Sequence, residues 1–285
     1  MSRYVIHIAY DGTRYAGWQR QPNAETVAGT LEKVLSQLIG ESIQLTGAGR
    51  TDAGVHARMQ IAHWDTEKPL PSPFLHRVNA LLPGAIRVVN LYRAAPTFHA
   101  RHSAIARTYR YYLTLYPNPF WRMWSWWLSP PLQEELLLQA TQAIRFCTNF
   151  AAFAKELDTQ REPVCHIHTA QWVKVREGIY FFEITANRFL RAMVRALVGA
   201  QVRLAQGKLS WEKFLSALER GDRSWGMHLA PPQGLFLWCI QYPPDFVYLL
   251  ERYGFFSAPT GDCSAPTASP EPPSDTVGAA FGSAE

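Results

Sequence analysis

Apolar and polar positions along the chain follow two rhythms. Residues 3–10 (Arg-Tyr-Val-Ile-His-Ile-Ala-Tyr) read as a strand, and Asp11-Gly12 marks a turn after it. Between Thr26 and Ile39, the apolar residues Val27, Leu31, Val34, Leu35 and Leu38 share one face of a helix. Gly40 stands where a left-handed C-terminal turn favours glycine. Residues 43–48 predict a short strand that runs into a glycine-punctuated loop. From 55 to 64, Val55, Ala57, Met59 and Ile61 alternate with His56, Arg58 and Gln60, which predicts a strand with one solvated face. A helix is expected over 74–82 and a strand over 86–92. Residues 107–116 again have a period of two, with Tyr109, Tyr111, Leu113 and Leu115 facing away from Thr108, Arg110, Tyr112 and Thr114. Further on, the pattern predicts a helix over 132–146 and paired strands over 164–175 and 180–185 around Glu177-Gly178. A long helix over 189–206, a shorter one over 211–218 and a closing strand over 235–240 complete it.

Strands and helices alternate irregularly, with hairpins among them. This predicts an α+β fold with a mixed or mainly antiparallel sheet. The order strand–helix–strand–strand recurs loosely, which suggests an internal duplication. The expected division is an N-terminal half over 1–104, a C-terminal half over 105–245 and an extension over 246–285. From Ala258 onward the chain is rich in Pro, Ser, Ala, Thr and Gly, too poor in large apolar groups to offset the entropy of ordering, and is expected to be disordered.

Of the 285 residues 47% are hydrophobic, enough for a sizeable core, and only 18% are charged. A disordered, collagen-like or coiled-coil protein is excluded. No run of 18 apolar residues occurs, so no membrane partner is expected, and the N-terminus lacks the features of a secretory signal. A cytoplasmic protein is expected. The first 257 residues carry 28 basic and 19 acidic side chains, +9, while the remainder holds four acids and no base. So basic a body suits a polyanion such as nucleic acid, although a solubilising surface charge would look the same. Cys147, Cys165, Cys239 and Cys263 match no common zinc spacing and are expected to be reduced, mostly buried thiols.

The most unusual stretch is Thr46-Gly-Ala-Gly-Arg-Thr-Asp-Ala-Gly-Val-His-Ala57. Three glycines surround Arg50, Asp52 and His56, and a loop of this kind lets the backbone approach a ligand closely. A guanidinium near a partly buried aspartate favours the ionised carboxylate, which suits a nucleophile or an electrostatic stabiliser. A purely structural turn, with Asp52 accepting local hydrogen bonds, fits the same residues. No Gly-Lys-Ser/Thr follows, so this is not a phosphate-binding loop, and Asp52 with His56 alone does not make a metal site.

Two other segments bear on chemistry. In Arg107-Thr-Tyr-Arg-Tyr-Tyr112, aromatics interleave with arginines as in a base-stacking platform, although tyrosine is also a good strand former. In Asn187-Arg-Phe-Leu-Arg-Ala-Met-Val-Arg195, Arg188, Arg191 and Arg195 would line one side of the predicted helix. Without acids between them they imply an anionic partner, either phosphate or a buried carboxylate.

Together these residues resemble the tRNA pseudouridine synthase A family. Gly49-Arg-Thr-Asp-Ala-Gly-Val-His-Ala57 is similar to its active-site signature. Tyr10 to Gln21, Thr26 to Leu38, Phe98 to Ala104, Arg107 to Tyr111, Asn187 to Gly199 and Ala230 to Leu235 resemble further family segments, so that the likeness spans about the first 242 residues. It implies two related ferredoxin-like or RRM-like halves sharing one extended, mainly antiparallel sheet with flanking helices and a basic cleft. It implies a cytosolic homodimer that isomerises uridine to pseudouridine at positions 38, 39 and 40 of the tRNA anticodon stem-loop, with no cofactor and no metal. By motif position, Asp52 corresponds to the catalytic aspartate and Tyr109 to the residue that stacks on the target base. Arg195 corresponds to the partner of the carboxylate, and Arg50 to an arginine that opens the substrate and takes the flipped base's place. Residues 146–150 and 224–227 and Arg58-Met59 depart from the family pattern, which bears on substrate breadth. The alternative is a non-catalytic structured-RNA-binding protein using the same cleft.

Overall fold

The computed structural model describes residues 1–129, 131–157, 162–243 and 247–253. Strand β1 (Ser2–Tyr10) lies between β3 (His56–Thr66) and β4 (Ile86–Ala94) and pairs antiparallel with both. Helix α1 (Val27–Ile39) forms as its pattern predicts: the Thr26 hydroxyl accepts from the Gly29 N–H, Gly40 closes the helix at φ 74°, and Val27, Leu31, Val34 and Leu35 are buried. The predicted strand over 43–48 shrinks to β2 (Thr46–Gly47), which pairs with β3. Helix α2 (Phe74–Leu81) covers the same side of the sheet, where Phe74 stacks on Trp64.

The second part of the chain adds β5 (Ala106–Thr114), β6 (Trp126–Trp127), α3 (Glu134–Phe146), β7 (Ile167–Arg176) and β8 (Ile179–Ala186). After these come α4 (Met193–Ala205), α5 (Trp211–Arg220), β9 (Leu235–Gln241) and β10 (Val247–Arg252). The ten strands among the described residues make one sheet in the order β10-β4-β1-β3-β9-β5-β8-β7, with β2 on β3 and β6 on β5. Every pairing is antiparallel except β3–β9 and β5–β6, so the α+β, mainly antiparallel expectation holds. The β3–β9 seam has only two paired positions, His56↔Phe236 and Ala57↔Leu237. Two apolar clusters flank it: one beneath α1 and α2, reinforced by Leu237, Cys239 and Ile240 of β9, and one around α4.

Helix α4 is buried on nearly every side. At its middle, Gln201 accepts from the Thr141 hydroxyl of α3 and from the Trp172 indole of β7, both at 2.9 Å, which locks the helix to its neighbours. Gly199 allows close packing: a Cβ there would meet the His228 carbonyl oxygen at 2.0 Å.

Several expectations need correction. Helix α4 begins at Met193, not Phe189, because Ala192 takes the left-handed conformation at φ 59° and breaks the pattern. Arg188 and Arg191 therefore lie in a loop and do not share a helix face with Arg195. Strand β3 has no solvated face, because its central position leaves His56 and Gln60 fully buried. Strand β10 falls within the expected extension yet pairs with β4 at the sheet edge. Among the described residues, Cys147 and Cys165 are free thiols, half-buried and buried, as expected. The expected disorder from 258 onward lies outside the described residues.

Candidate active site

The loop from Ala48 to Val55 is held by backbone. Trp18 N–H donates to Thr51 O at 3.2 Å, Gly54 N–H donates to Tyr15 O at 3.3 Å, and Val55 N–H donates to Asp52 O at 3.2 Å. The Tyr10 and Thr51 hydroxyls share a 2.8 Å hydrogen bond, and the Gln60 amide donates to Gly49 O. Gly17 lets the preceding loop press in: its φ is +95°, and a Cβ there would meet Thr51 O at 2.4 Å.

Held in this way, Asp52 meets Arg195. Arg195 Nη1 lies 3.1 Å from Asp52 Oδ2, while Nε donates to Ala230 O at 2.7 Å. The Ala230 N–H returns a bond to Arg195 O. The guanidinium is thus anchored through Nε on Ala230, with a side chain 15% exposed, while the carboxylate remains 33% exposed. A charge-assisted contact with a partly open carboxylate leaves that group oriented and reachable.

Tyr109 lies close by on β5, half-buried, with its ring edge-to-face on Phe189 at 5.1 Å between centroids. Burial pushes its phenol up to about 12, the Asp52 charge adds to the rise, and Arg107 opposes it. Arg107 was not singled out by its pattern, yet it staples the surrounding loops. Its Nη1 donates to Ala104 O at 3.0 Å and to Asn187 O at 2.8 Å, and its Nη2 donates to Arg101 O. Spacing gave no sign of this, because the acceptors are backbone carbonyls from distant loops.

The structure brings Asp52, Arg195 and Tyr109 together. Arg50 stands two residues before Asp52 but is exposed, and the guanidinium on the carboxylate comes instead from 143 residues away. Arg191 is exposed and pairs with Glu156. Arg188 is half-buried and its charge bears on the Cys165 thiol, which burial pushes up to about 11. The anionic partners of this segment are thus carboxylates for Arg195 and Arg191. Among the described residues, no group of three His, Cys, Asp or Glu side chains could hold a metal ion, and no helix is long and apolar enough to cross a membrane.

The sequence profile of the tRNA pseudouridine synthase family matches residues 6–90 and 147–243. The tRNA pseudouridine synthase A of Bacteroides thetaiotaomicron is 40% identical over 248 residues, covering 86% of this chain and 92% of that protein. The protein of the same name from Bacteroides fragilis is 38% identical, covering 86% and 98%. That of Porphyromonas gingivalis is 40% identical, covering 86% and 99%. With this extent of match and this level of identity, the chain belongs to the tRNA pseudouridine synthase family.

Proposed function

We propose that this protein isomerises uridine to pseudouridine at positions 38, 39 and 40 of the tRNA anticodon stem-loop, acting as a cytosolic homodimer with Asp52 as the catalytic group. The observation that carries this reading is the 3.1 Å contact between Asp52 in its tight loop and Arg195 on α4, beside the Tyr109 ring. The target uracil must leave its stack at a cost of a few kcal/mol. The Tyr109 ring offers a stacking surface, and the exposed Arg50 side chain is free to enter the vacated place.

The C1′–N1 bond breaks, the uracil turns over, and C5 joins C1′; the C5 proton leaves and N1 gains one, so nothing is lost to solvent overall. The Asp52 carboxylate opens this sequence either by attack on carbon or by removal of a sugar proton, and Arg195 keeps it oriented for both. The Tyr109 hydroxyl stays a phenol through neutral pH. Its part is therefore stacking and hydrogen-bond donation rather than service as a free base. Of the arginines in the 187–195 segment, Arg188 is available to meet phosphate, while Arg191 would first have to release Glu156.

The test is to incubate the protein with unmodified tRNA transcript and map pseudouridine by position. Asp52→Asn is expected to abolish product while leaving tRNA affinity within about threefold, a difference worth under about 1 kcal/mol. Full activity in that variant would remove Asp52 from the chemistry, and release of free uracil would point to a nucleoside hydrolase.

A further inference from the structure

His56 is fully buried, although it belongs to the glycine-rich signature and has no part in the chemistry above. Its Nε2 lies 3.2 Å from Gln233 O, in the turn that precedes β9. Its Nδ1 lies 3.2 Å from the Gly12 N–H and 3.1 Å from Asp11 Oδ1. The ring stacks on Phe236 at 4.6 Å, with Trp124 at 4.9 Å. Phe236 is also the residue that His56 faces across the two-position seam.

These contacts close a loop of interactions. Asp52 binds Arg195, and Arg195 binds Ala230 O. Three residues further on, Gln233 O meets the His56 ring, and His56 follows Val55, whose N–H is bonded to Asp52 O. Both arms of the carboxylate–guanidinium pair therefore end on one imidazole. We propose that His56 is a positioning residue: by bridging Gln233 to the Asp11–Gly12 turn across the β3–β9 seam, it sets the distance between Asp52 and Arg195. This rests on the function proposed above.

Burial holds the ring below its ordinary range, against the pull of Asp11. At neutral pH the ring is neutral; with its proton on Nε2 it donates to Gln233 O and accepts from Gly12 N–H at Nδ1, and Asp11 Oδ1, 3.1 Å from Nδ1, then receives no proton from the ring. The limb that ties the two sides of the sheet is then the Nε2–H bond. A glutamine amide can reproduce a donor at Nε2, and an asparagine amide falls short near Nδ1. Misplacement of reacting groups by about 1 Å can cost about a hundredfold in rate, so the effect is expected in the chemical step rather than in binding.

The experiment measures single-turnover pseudouridine formation, tRNA Kd and thermal midpoint for wild type, His56→Leu, His56→Gln and His56→Asn. His56→Leu is expected to slow the turnover about tenfold or more at unchanged Kd, and His56→Gln to restore it to within about threefold of wild type, with His56→Asn remaining slow. If His56→Leu does not fold, the Gln and Asn variants decide alone. A wild-type rate in His56→Leu, a Gln variant as slow as the Asn one, or a rate loss matched by an equal loss of affinity overturns the proposal. Wild-type protein that forms no pseudouridine defeats the proposed function instead, so the two failures are told apart.

Discussion

If Tyr109 meets tRNA as proposed, its ring and its hydroxyl can be told apart. If the ring carries recognition, Tyr109→Phe keeps tRNA affinity within about threefold of wild type, and Tyr109→Ala loses about 1–3 kcal/mol of binding, the worth of one base stacked on an aromatic ring. Filter-binding titrations of both variants measure this, and a large affinity loss in Tyr109→Phe would transfer recognition to the hydroxyl. Two buried histidines also bear on acid stability. Burial lowers both His7 and His63 to about 4, and they are 1% and 6% exposed. Both rings are neutral in the fold, whereas unfolded histidine titrates near 6.5. Between those values the unfolded chain binds more protons, so stability is complete above about pH 6.5 and falls as pH drops toward 4. Each ring contributes at most roughly 3 kcal/mol over that window. Urea midpoints taken from pH 7 to pH 4.5 are expected to fall steadily, and a flat series would contradict it. At this scale the glycines around Asp52 marked an unusual loop but left a structural turn as open as a reactive carboxylate. Spacing alone set Arg50 beside the carboxylate, near in sequence but exposed in space, whereas the family resemblance pointed to Arg195, remote in sequence and adjacent in space.

Helix α2 has no side-chain cap of its own, since Pro73 precedes it. The Glu251 carboxylate of β10 supplies one from across the sheet edge, accepting from Phe74 N–H at 3.2 Å and Leu75 N–H at 2.9 Å. A carboxylate at a helix N-terminus is favoured both by the free N–H groups and by the dipole. Glu251→Ala is therefore expected to destabilise the protein by about 1 kcal/mol in urea unfolding and to leave pseudouridine formation unchanged. An unaltered midpoint would deny that cap a structural role. Elements with a strong period were legible: α1, α5 and the hairpin β7–β8, with its glycine turn at φ 69°, stand close to where alternation and turn residues put them. Strand β10 was not legible, because Tyr248, Leu249 and Leu250 lack alternation and are exposed, and the strand exists through pairing with β4. The start of α4 was missed because apolar spacing continues through Phe189 and Leu190, while the backbone breaks at Ala192.

For the whole molecule, the excess of positive charge lies in the first 257 residues. If arginines there neutralise tRNA phosphates, log K falls linearly with log salt, with a slope of about −0.9 for each phosphate engaged on a duplex. Binding measured between about 50 and 200 mM salt is expected to weaken by orders of magnitude, and an indifferent curve would argue against a basic cleft. The architecture was readable in outline because alternation distinguishes strand from helix. The order of strands was not, because the parallel β3–β9 contact joins residues far apart in sequence. That contact has a mechanical consequence. Two rungs of backbone and the side chains of β9 join one flank of the sheet to the other, with the Asp52–Arg195 and His56–Gln233 contacts spanning the same seam, and Asp52 and Arg195 sit on opposite banks of that join. A nucleic acid that lay across both banks would act as a brace, adding its binding free energy to the narrowest part of the frame. If tRNA spans both banks as proposed, the loaded protein is expected to exchange amide hydrogens more slowly along β3 and β9 than the empty one.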